Sequence, residues 1–220
     1  MRQLFTTVAP RYDFITRAFS YGMDVRWKRL GVELARLPKE PVVLDLACGT
    51  GDFSHLIRER SPFAQTVAVD LTHGMLVLAR ERQAASEVVC ADAVCLPFDD
   101  ASFDCVFVGY GLRNFPDLST AIGEIRRVTR AGGLLVTLDF FLPVNSVLRK
   151  LYLAYLYAQG AFWGTLLHRS PKIYTYIPDS LRCFISIPEF SRLLGREGYR
   201  TVGAREYIFG GIGLHWGVRE

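Results

Sequence analysis

The sequence predicts an α/β fold on a mostly parallel seven-stranded sheet, with one antiparallel strand supplied by a C-terminal hairpin. Three observations predict it. Short apolar runs rich in β-branched residues alternate with segments of helical spacing from Pro41 to Asp139. The first run is followed at once by Gly49-Thr50-Gly51. Four runs close on an acid, at Asp45, Asp70, Asp92 and Asp139, and another closes on Gly109. Strands separated by helices of about 10–15 residues form βαβ units, whose right-handed crossovers lay the strands parallel. Ligands of such sheets collect at the carboxyl ends of the strands, so these five residues share one functional rim.

Residues 1–37 are rich in aromatics, with Phe5, Tyr12, Phe14, Phe19, Tyr21 and Trp27. Val25, Leu30, Leu34 and Leu37 make the apolar stripe of a helix over 22–37, which Pro38 ends. Two readings of residues 1–40 stay open: a packing segment, or a helical lid over the rim. Strand 42–46, helix 52–60, strand 66–70, helix 74–84 and strand 88–91 follow. Strand 103–109, helix 117–130 and, past Gly132-Gly133, strand 134–139 complete the alternation. Residues 141–180 break the rhythm. The run from Leu148 to Leu167 holds Leu151, Tyr152, Tyr155, Leu156, Phe162 and Trp163, and it reads as an apolar helical insertion. Between Lys150 and His168 it is shorter than the roughly 20 apolar residues a membrane span needs. Arg149, Lys150, His168, Arg169 and Lys172 flank it, as on a surface resting against anionic lipid. Ser186-Ile187-Pro188-Glu189 opens a helix that Gly198 ends. Strands 204–209 and 212–218, joined at Gly210-Gly211, make the hairpin.

Composition bounds the function. At 220 residues, half of them apolar and 22% charged, the chain reads as one globular domain. A net charge of +4, without basic runs or aromatic-basic interleaving, does not point to nucleic acid. Cysteines 48, 90, 95, 105 and 183 show no Cys-x-x-Cys spacing, and the four histidines are scattered, so no metal site is expected. Reduced, buried thiols fit a cytoplasmic protein. The N-terminus carries no apolar stretch of signal-peptide length.

The chemistry begins at Pro41-Val-Val-Leu-Asp45-Leu-Ala-Cys-Gly49-Thr50-Gly51-Asp52. Strand, glycine turn, helix is a nucleotide-site arrangement in which glycine admits close backbone approach. The carboxylates of Asp45 and Asp52 would oppose a phosphate. They suit a cation that bears hydroxyls and an amine, and Asp70 ends the next strand where an acid takes ribose hydroxyls. S-adenosyl-L-methionine, with a sulfonium, an ammonium, a ribose and no phosphate, is such a ligand. Asp92 stands where the adenine amine would fall, with a helix N-cap as its alternative reading. An ordinary tight turn with a capping acid is the bland reading of the loop. Asp-x-x-x-Gly-x-Gly with the downstream Asp70 resembles the class I S-adenosylmethionine-dependent methyltransferases, a Rossmann-like fold.

Nearly the whole chain resembles one family, the ubiquinone/menaquinone biosynthesis C-methyltransferases. The similar segments are Phe5-x-x-Val8-Ala9-x-x-Tyr12-Asp13, Ser20-x-Gly22-x-x-x-Arg26-Trp27-Lys28, the cofactor loop, and Leu96-Pro97-Phe98 with Phe103-Asp104. Gly111-Leu112-Arg113-Asn114 is the most specific of them, and Tyr174-x-Tyr176 and Leu214-His215-x-Gly217 complete the set. The resemblance implies that Thr50, Asp70, Asp92 with Ala93, and position 109 contact S-adenosyl-L-methionine; Asp45, Gly49, Gly51 and Leu71 complete the expected cofactor set. The family usually has serine where this chain has Gly109, which leaves only a backbone contact, and its asparagine after Tyr-Asp is missing from Tyr12-Asp13-Phe14-Ile15-Thr16.

The implied reaction puts a methyl group on a ring carbon of a reduced prenylated quinone such as demethylmenaquinol. That carbon is a weak nucleophile until a neighbouring hydroxyl loses its proton, so a base or a cation facing the phenolate is needed. Arg113 is the expected cation, acting through a water; as a base it is disfavoured, because guanidinium hardly deprotonates. Asn114 would orient the ring oxygen, and Tyr12 or His215 would shuttle the proton. A loop cap and a surface charge is the alternative reading of Arg113 and Asn114. The expected partners are a lipophilic quinol and, peripherally, the inner face of the cell membrane; homo-oligomerisation stays open. Two other functions compete. A methyltransferase acting on O, N or S of a small soluble acceptor would carry a hydrophilic insertion, and a non-catalytic binding module would have lost the acids at 45 and 70.

Overall fold

A computed structural model describes residues 12–220. The motif positions Phe5, Val8 and Ala9 lie outside the described residues. Helices α1 (Tyr12–Phe19) and α2 (Asp24–Ala35) precede β1 (Val42–Leu46), α3 (Asp52–Arg60), β2 (Gln65–Asp70), α4 (His73–Glu81) and β3 (Glu87–Cys90). Then come β4 (Phe103–Gly109), a 3-10 turn Leu112–Asn114, α5 (Leu118–Val128) and β5 (Thr129–Phe140). Helices α6 (Ser146–His168), α7 (Tyr176–Arg182) and α8 (Ile187–Arg196) lead to β6 (Tyr199–Tyr207) and β7 (Ile212–Arg219).

The strands form one sheet in the order β3-β2-β1-β4-β5-β7-β6. β1 pairs in parallel with β2 and β4, β2 with β3, and β4 with β5. β7 runs antiparallel to both neighbours, β5 and β6. The expected mostly parallel sheet with a single reversed strand is what forms. Its central strands are covered on both faces, so β1 and β4 read as continuous apolar runs. Side chains alternate between two cores. Val43, Cys105 and Phe107 join Trp27, Phe53, Ile57, Tyr152 and Leu156 on one face. Leu44, Val106 and Val108 join Ile122, Ile125, Phe141, Phe190 and Leu194 on the other.

Several boundaries differ from expectation. The fifth strand begins at Thr129, five residues before the apolar run, and the preceding helix stops at Val128. Thr129 Oγ1 donates to Ile125 O (2.6 Å), closing the helix, while Ala101 N and Ser102 N take up Arg127 O and Val128 O. The sixth strand also starts early, at Tyr199, and the hairpin turns through Ile208–Gly210 rather than at Gly210-Gly211 alone. Seven-residue α7 gave no readable period within the insertion. The insertion itself is α6, 23 residues long, capped by Asn145 Oδ1 accepting from Val147 N and Leu148 N. Its buried face is Tyr152, Leu156, Gly160 and Gly164, a single stripe at i+4 spacing. No described helix is long and apolar enough to cross a membrane.

Candidate active site

The strand order reverses between β1 and β4, which opens a crevice beyond their carboxyl ends. A cleft with about 740 Å³ of space, part of it open solvent, lies there. Gly49 of the glycine turn, Asp70 and Leu71 after β2, Asp92 and Ala93 after β3, and Asn114 after β4 all line it. Residues far apart in sequence thus meet because parallel strands end together.

The acids of this cleft are held by backbone. Asp70 Oδ2 accepts from Gly49 N (2.9 Å) and Oδ1 from Thr72 N (2.8 Å), so each oxygen keeps a further lone pair for hydroxyls. Burial raises the Asp70 carboxyl above its ordinary value, and these hydrogen bonds oppose the shift. Asp92 Oδ1 accepts from Val94 N at 3.2 Å. The fit to a phosphate-free cation with a ribose rests on this donor set: two carboxylates at the rim, and no basic side chain lining the cleft among the described residues.

Asp45, Thr50 and Gly109 line a smaller adjoining space, which they share with Lys28, Asp52, Phe53 and Tyr110. Asp45 is buried, and its Oδ2 accepts from Ser54 N (2.9 Å) and Ser54 Oγ (2.6 Å). Burial pushes its carboxyl up to about 7 despite those bonds. Burial raises the Asp52 carboxyl, but the Lys28 ammonium together with Arg82 and Arg17 outweighs it and holds the group below its ordinary value. Gly51 does not line the site. Its φ is +87°, and a Cβ there would stand 2.4 Å from Ala84 Cβ, so this glycine serves the turn and its packing. Gly109 faces Phe53: a Cβ there would lie 2.9 Å from the ring, which accounts for the small residue at this position in this chain.

Arg113 turns away from the cleft into a third space, formed with Ile15, Thr16, Phe19, Phe140, Tyr176 and Ile177. It is no surface charge. Its Nη1 donates to Asp139 Oδ1 (2.6 Å) and Tyr110 O (2.6 Å), and the guanidinium lies 5.0 Å from the Phe140 ring centroid. Asp139 also accepts from Phe140 N at 2.7 Å. The rim reading of Asp139 is therefore corrected: it is wholly buried and faces Arg113, not the cleft. Asn114 Nδ2 approaches Tyr110 O at 3.5 Å while its residue lines the cleft.

His215 does not join them. It lies on β7, buried between the rings of Phe141 (5.2 Å) and Phe190 (4.9 Å), and lines none of the three spaces. Burial pushes its imidazole down to about 4, so the proton-shuttle expectation is corrected: His215 is a neutral core residue. Tyr12 opens α1, and its side chain lies outside the described residues.

Sequence reasoning missed Tyr110, which borders all three spaces and holds φ +57°. A left-handed non-glycine residue is uncommon, and no sequence pattern announces it. Thr72, Met75, Phe115 and Pro116 also line the cleft unforeseen.

Comparison with known proteins agrees with this geometry. The model of the ubiE/COQ5 methyltransferase family matches residues 1–219. The demethylmenaquinone methyltransferase of Thermus thermophilus is 37% identical over 98% of this chain and 100% of its own length. The ubiquinone/menaquinone biosynthesis C-methyltransferase UbiE of Geobacter sulfurreducens is 35% identical, over 100% of this chain and 88% of its own. Among solved structures, an S-adenosylmethionine-dependent methyltransferase from Thermotoga maritima superposes with a TM-score of 0.70 at 18% identity, covering 100% of each chain. That last likeness shows the fold.

Proposed function

Since the chain belongs to the ubiE/COQ5 methyltransferase family, whose members are S-adenosylmethionine-dependent C-methyltransferases, we propose that it methylates a ring carbon of a reduced prenylated naphthoquinone, demethylmenaquinol. Asp70 takes the ribose hydroxyls, Asp92 with Ala93 takes the adenine, Gly49 and Leu71 shape the bed between them, and Thr50 lines the adjoining space. When bound, the cofactor supplies an electrophilic methyl group on its sulfonium. The protein's own task is then to place the acceptor carbon in line, exclude water and stabilise the phenolate that makes this carbon nucleophilic.

The observation that carries this reading is Arg113, buried and paired with Asp139 beside a small space that Ile15, Phe19, Phe140 and Tyr176 line. Asp139, Tyr110 O and the Tyr176 side chain hold its guanidinium in one orientation, so its charge needs no reorganisation as charge develops on the ring oxygen. Asn114, one residue on, reaches the cleft and orients that oxygen between donor and acceptor. Tyr12 opens the helix whose Ile15, Thr16 and Phe19 line the cavity, and we assign the departing proton to it.

The apolar insertion supports a lipophilic acceptor. Val147, Leu151, Phe162 and Leu166 are exposed on α6, and Arg149, Lys150, Arg169 and Lys172 stand around its ends. Such a surface fits peripheral contact with the inner face of the cell membrane, where prenylated quinols reside. The test is a methylation assay with labelled cofactor, comparing demethylmenaquinol with soluble phenols and reading product mass and regiochemistry. Ring methylation of the quinol alone is expected; preferred transfer to O, N or S of a soluble phenol would replace this reading with the second one. Arg113→Met should cut turnover while leaving cofactor affinity near the wild-type value.

A further inference from the structure

Two tyrosines of the insertion, Tyr174 and Tyr176, stand two residues apart and reach in different directions. Tyr174 is buried, and its hydroxyl lies 2.9 Å from His168 Nε2 at the end of α6. Gly160 and Gly164, on the buried face of α6, admit the returning chain. A Cβ on Gly160 would stand 3.0 Å from Tyr174 O, and one on Gly164 would collide with Ser170 O. Ile177, Pro178 and Leu181 then bury α7. The passage from α6 into α7 is thereby braced on both sides.

Tyr176 leaves that passage toward the 3-10 turn that carries Arg113, against which α7 packs. Its hydroxyl accepts a hydrogen bond from the Arg113 side chain, and it lines the same small space as Arg113, Ile15, Thr16 and Phe19. Arg113 meets Asp139 and Tyr110 O through one nitrogen, Nη1, whose two N–H groups are thereby engaged. Asp139, wholly buried and 2.6 Å away, offsets the guanidinium charge. A tyrosine hydroxyl differs in kind, since it accepts through its oxygen and donates its own proton. Set on a guanidinium, that proton is the stronger donor, because hydrogen bonds in a chain polarise one another. Burial raises the Tyr176 hydroxyl above its ordinary value although Arg113 opposes the shift, so the group keeps its proton around neutral pH.

We propose that Tyr176 is a further catalytic residue, whose hydroxyl donates to the ring oxygen of the acceptor and carries the pull of Arg113 to it in place of a water. The proposal rests on the reading of this space as the acceptor site. The hydrogen bond strengthens as negative charge builds on the ring oxygen, and no bond to hydrogen breaks at Tyr176. Tyr174 and His168 are positioning residues, since they fix the passage from which Tyr176 reaches Arg113. The insertion thereby supplies a group at the reacting centre as well as an apolar surface.

Steady-state kinetics of the full chain on demethylmenaquinol, with titration of bound 1-naphthol, test this. Tyr176→Phe removes one hydroxyl and keeps the ring. It should lower kcat by about tenfold to a hundredfold, as the loss of a hydrogen bond to a charged group requires. S-adenosylmethionine affinity should stay within about twofold. Bound to the wild-type protein, 1-naphthol should ionise at lower pH than in buffer, read from naphtholate absorbance, and Tyr176→Phe should reverse most of that shift. A packing role would leave the titration unmoved. An unchanged kcat, an unmoved titration, or equal losses in turnover and cofactor affinity would overturn the proposal and leave Tyr176 as a brace for Arg113. Should Tyr176→Phe fail to fold, the wild-type protein still decides: bound 1-naphthol that titrates as it does in buffer would also overturn it. A wild-type protein that methylates no quinol and binds no naphthol would instead refute the acceptor reading of the space.

Discussion

Asp139→Ala leaves a guanidinium charged and buried without its carboxylate. Asp139 is fully buried, the Arg113 side chain is only 2% exposed, and three donors converge on the acid: Arg113 Nη1 (2.6 Å), Arg113 N (3.4 Å) and Phe140 N (2.7 Å). Removing one member of such a pair costs about 3–5 kcal/mol, because the survivor keeps its desolvation penalty and loses its attraction. Against a native stability of about 5–15 kcal/mol this is a large share. At roughly 2–4 °C per kcal/mol for a chain of this size, the midpoint of thermal unfolding should fall by about 6–20 °C. Urea unfolding followed by circular dichroism measures the free energy directly. The control is the double variant Arg113→Met with Asp139→Leu, which replaces both charges by apolar groups. It should recover most of the stability, with a coupling of about 2 kcal/mol or more in the cycle, and yet remain inactive. A loss under about 1 kcal/mol for Asp139→Ala, or additive single effects, would refute the picture of a buried pair that orients the proposed catalytic cation.

Three further outcomes are expected. Asp70→Ala should weaken S-adenosylmethionine binding by about tenfold to a hundredfold in calorimetry, since hydrogen bonds to a charged group are worth about 1.5–3 kcal/mol; unchanged affinity would remove Asp70 from the site. Burial holds the Asp45 carboxyl at about 7, above its ordinary value, so the folded state binds that proton more tightly than the unfolded one. The resulting stability is full below the ordinary carboxylate range and is lost as pH rises through about 7. Asp45→Asn should abolish that slope, worth up to about 4 kcal/mol between pH 4 and 8, and urea midpoints with the same pH dependence in both proteins would contradict it. With the His215 imidazole pushed down to about 4, His215→Phe should leave the pH dependence of turnover unchanged between about 5 and 8. Loss of a limb in that range would return His215 to the proton path.

Much of the site was legible because its signals are local. Asp45-x-x-x-Gly49-x-Gly51 turns a strand into a helix within a few residues, and Asp70 and Asp92 close the next two strands; parallel pairing then brings such ends together. His215 and Asp139 show where that logic stops. Both stand in short motifs or at strand ends, and both read as functional. Yet β7 turns the His215 ring between Phe141 and Phe190, and the side chain of Asp139 meets Arg113 instead of the cleft. A strand position states which residue sits at the rim, not which way its side chain leaves it.

The chain's sequence by itself determined the α/β alternation, the donor chemistry and the family, since these rest on apolar period, glycine placement and the order of acids along one strand after another. Only the tertiary structure decided how the charges are apportioned. Asp139 neutralises Arg113, Asp24 and Asp52 clasp Lys28, and Tyr110 stands between three spaces in a left-handed conformation. Each of these pairings joins residues from separate elements, and a carboxylate reads the same in sequence whether it faces water, a ligand or a buried cation. Its burial and its nearest partner set its role, and both exist only once the sheet and its helices have packed.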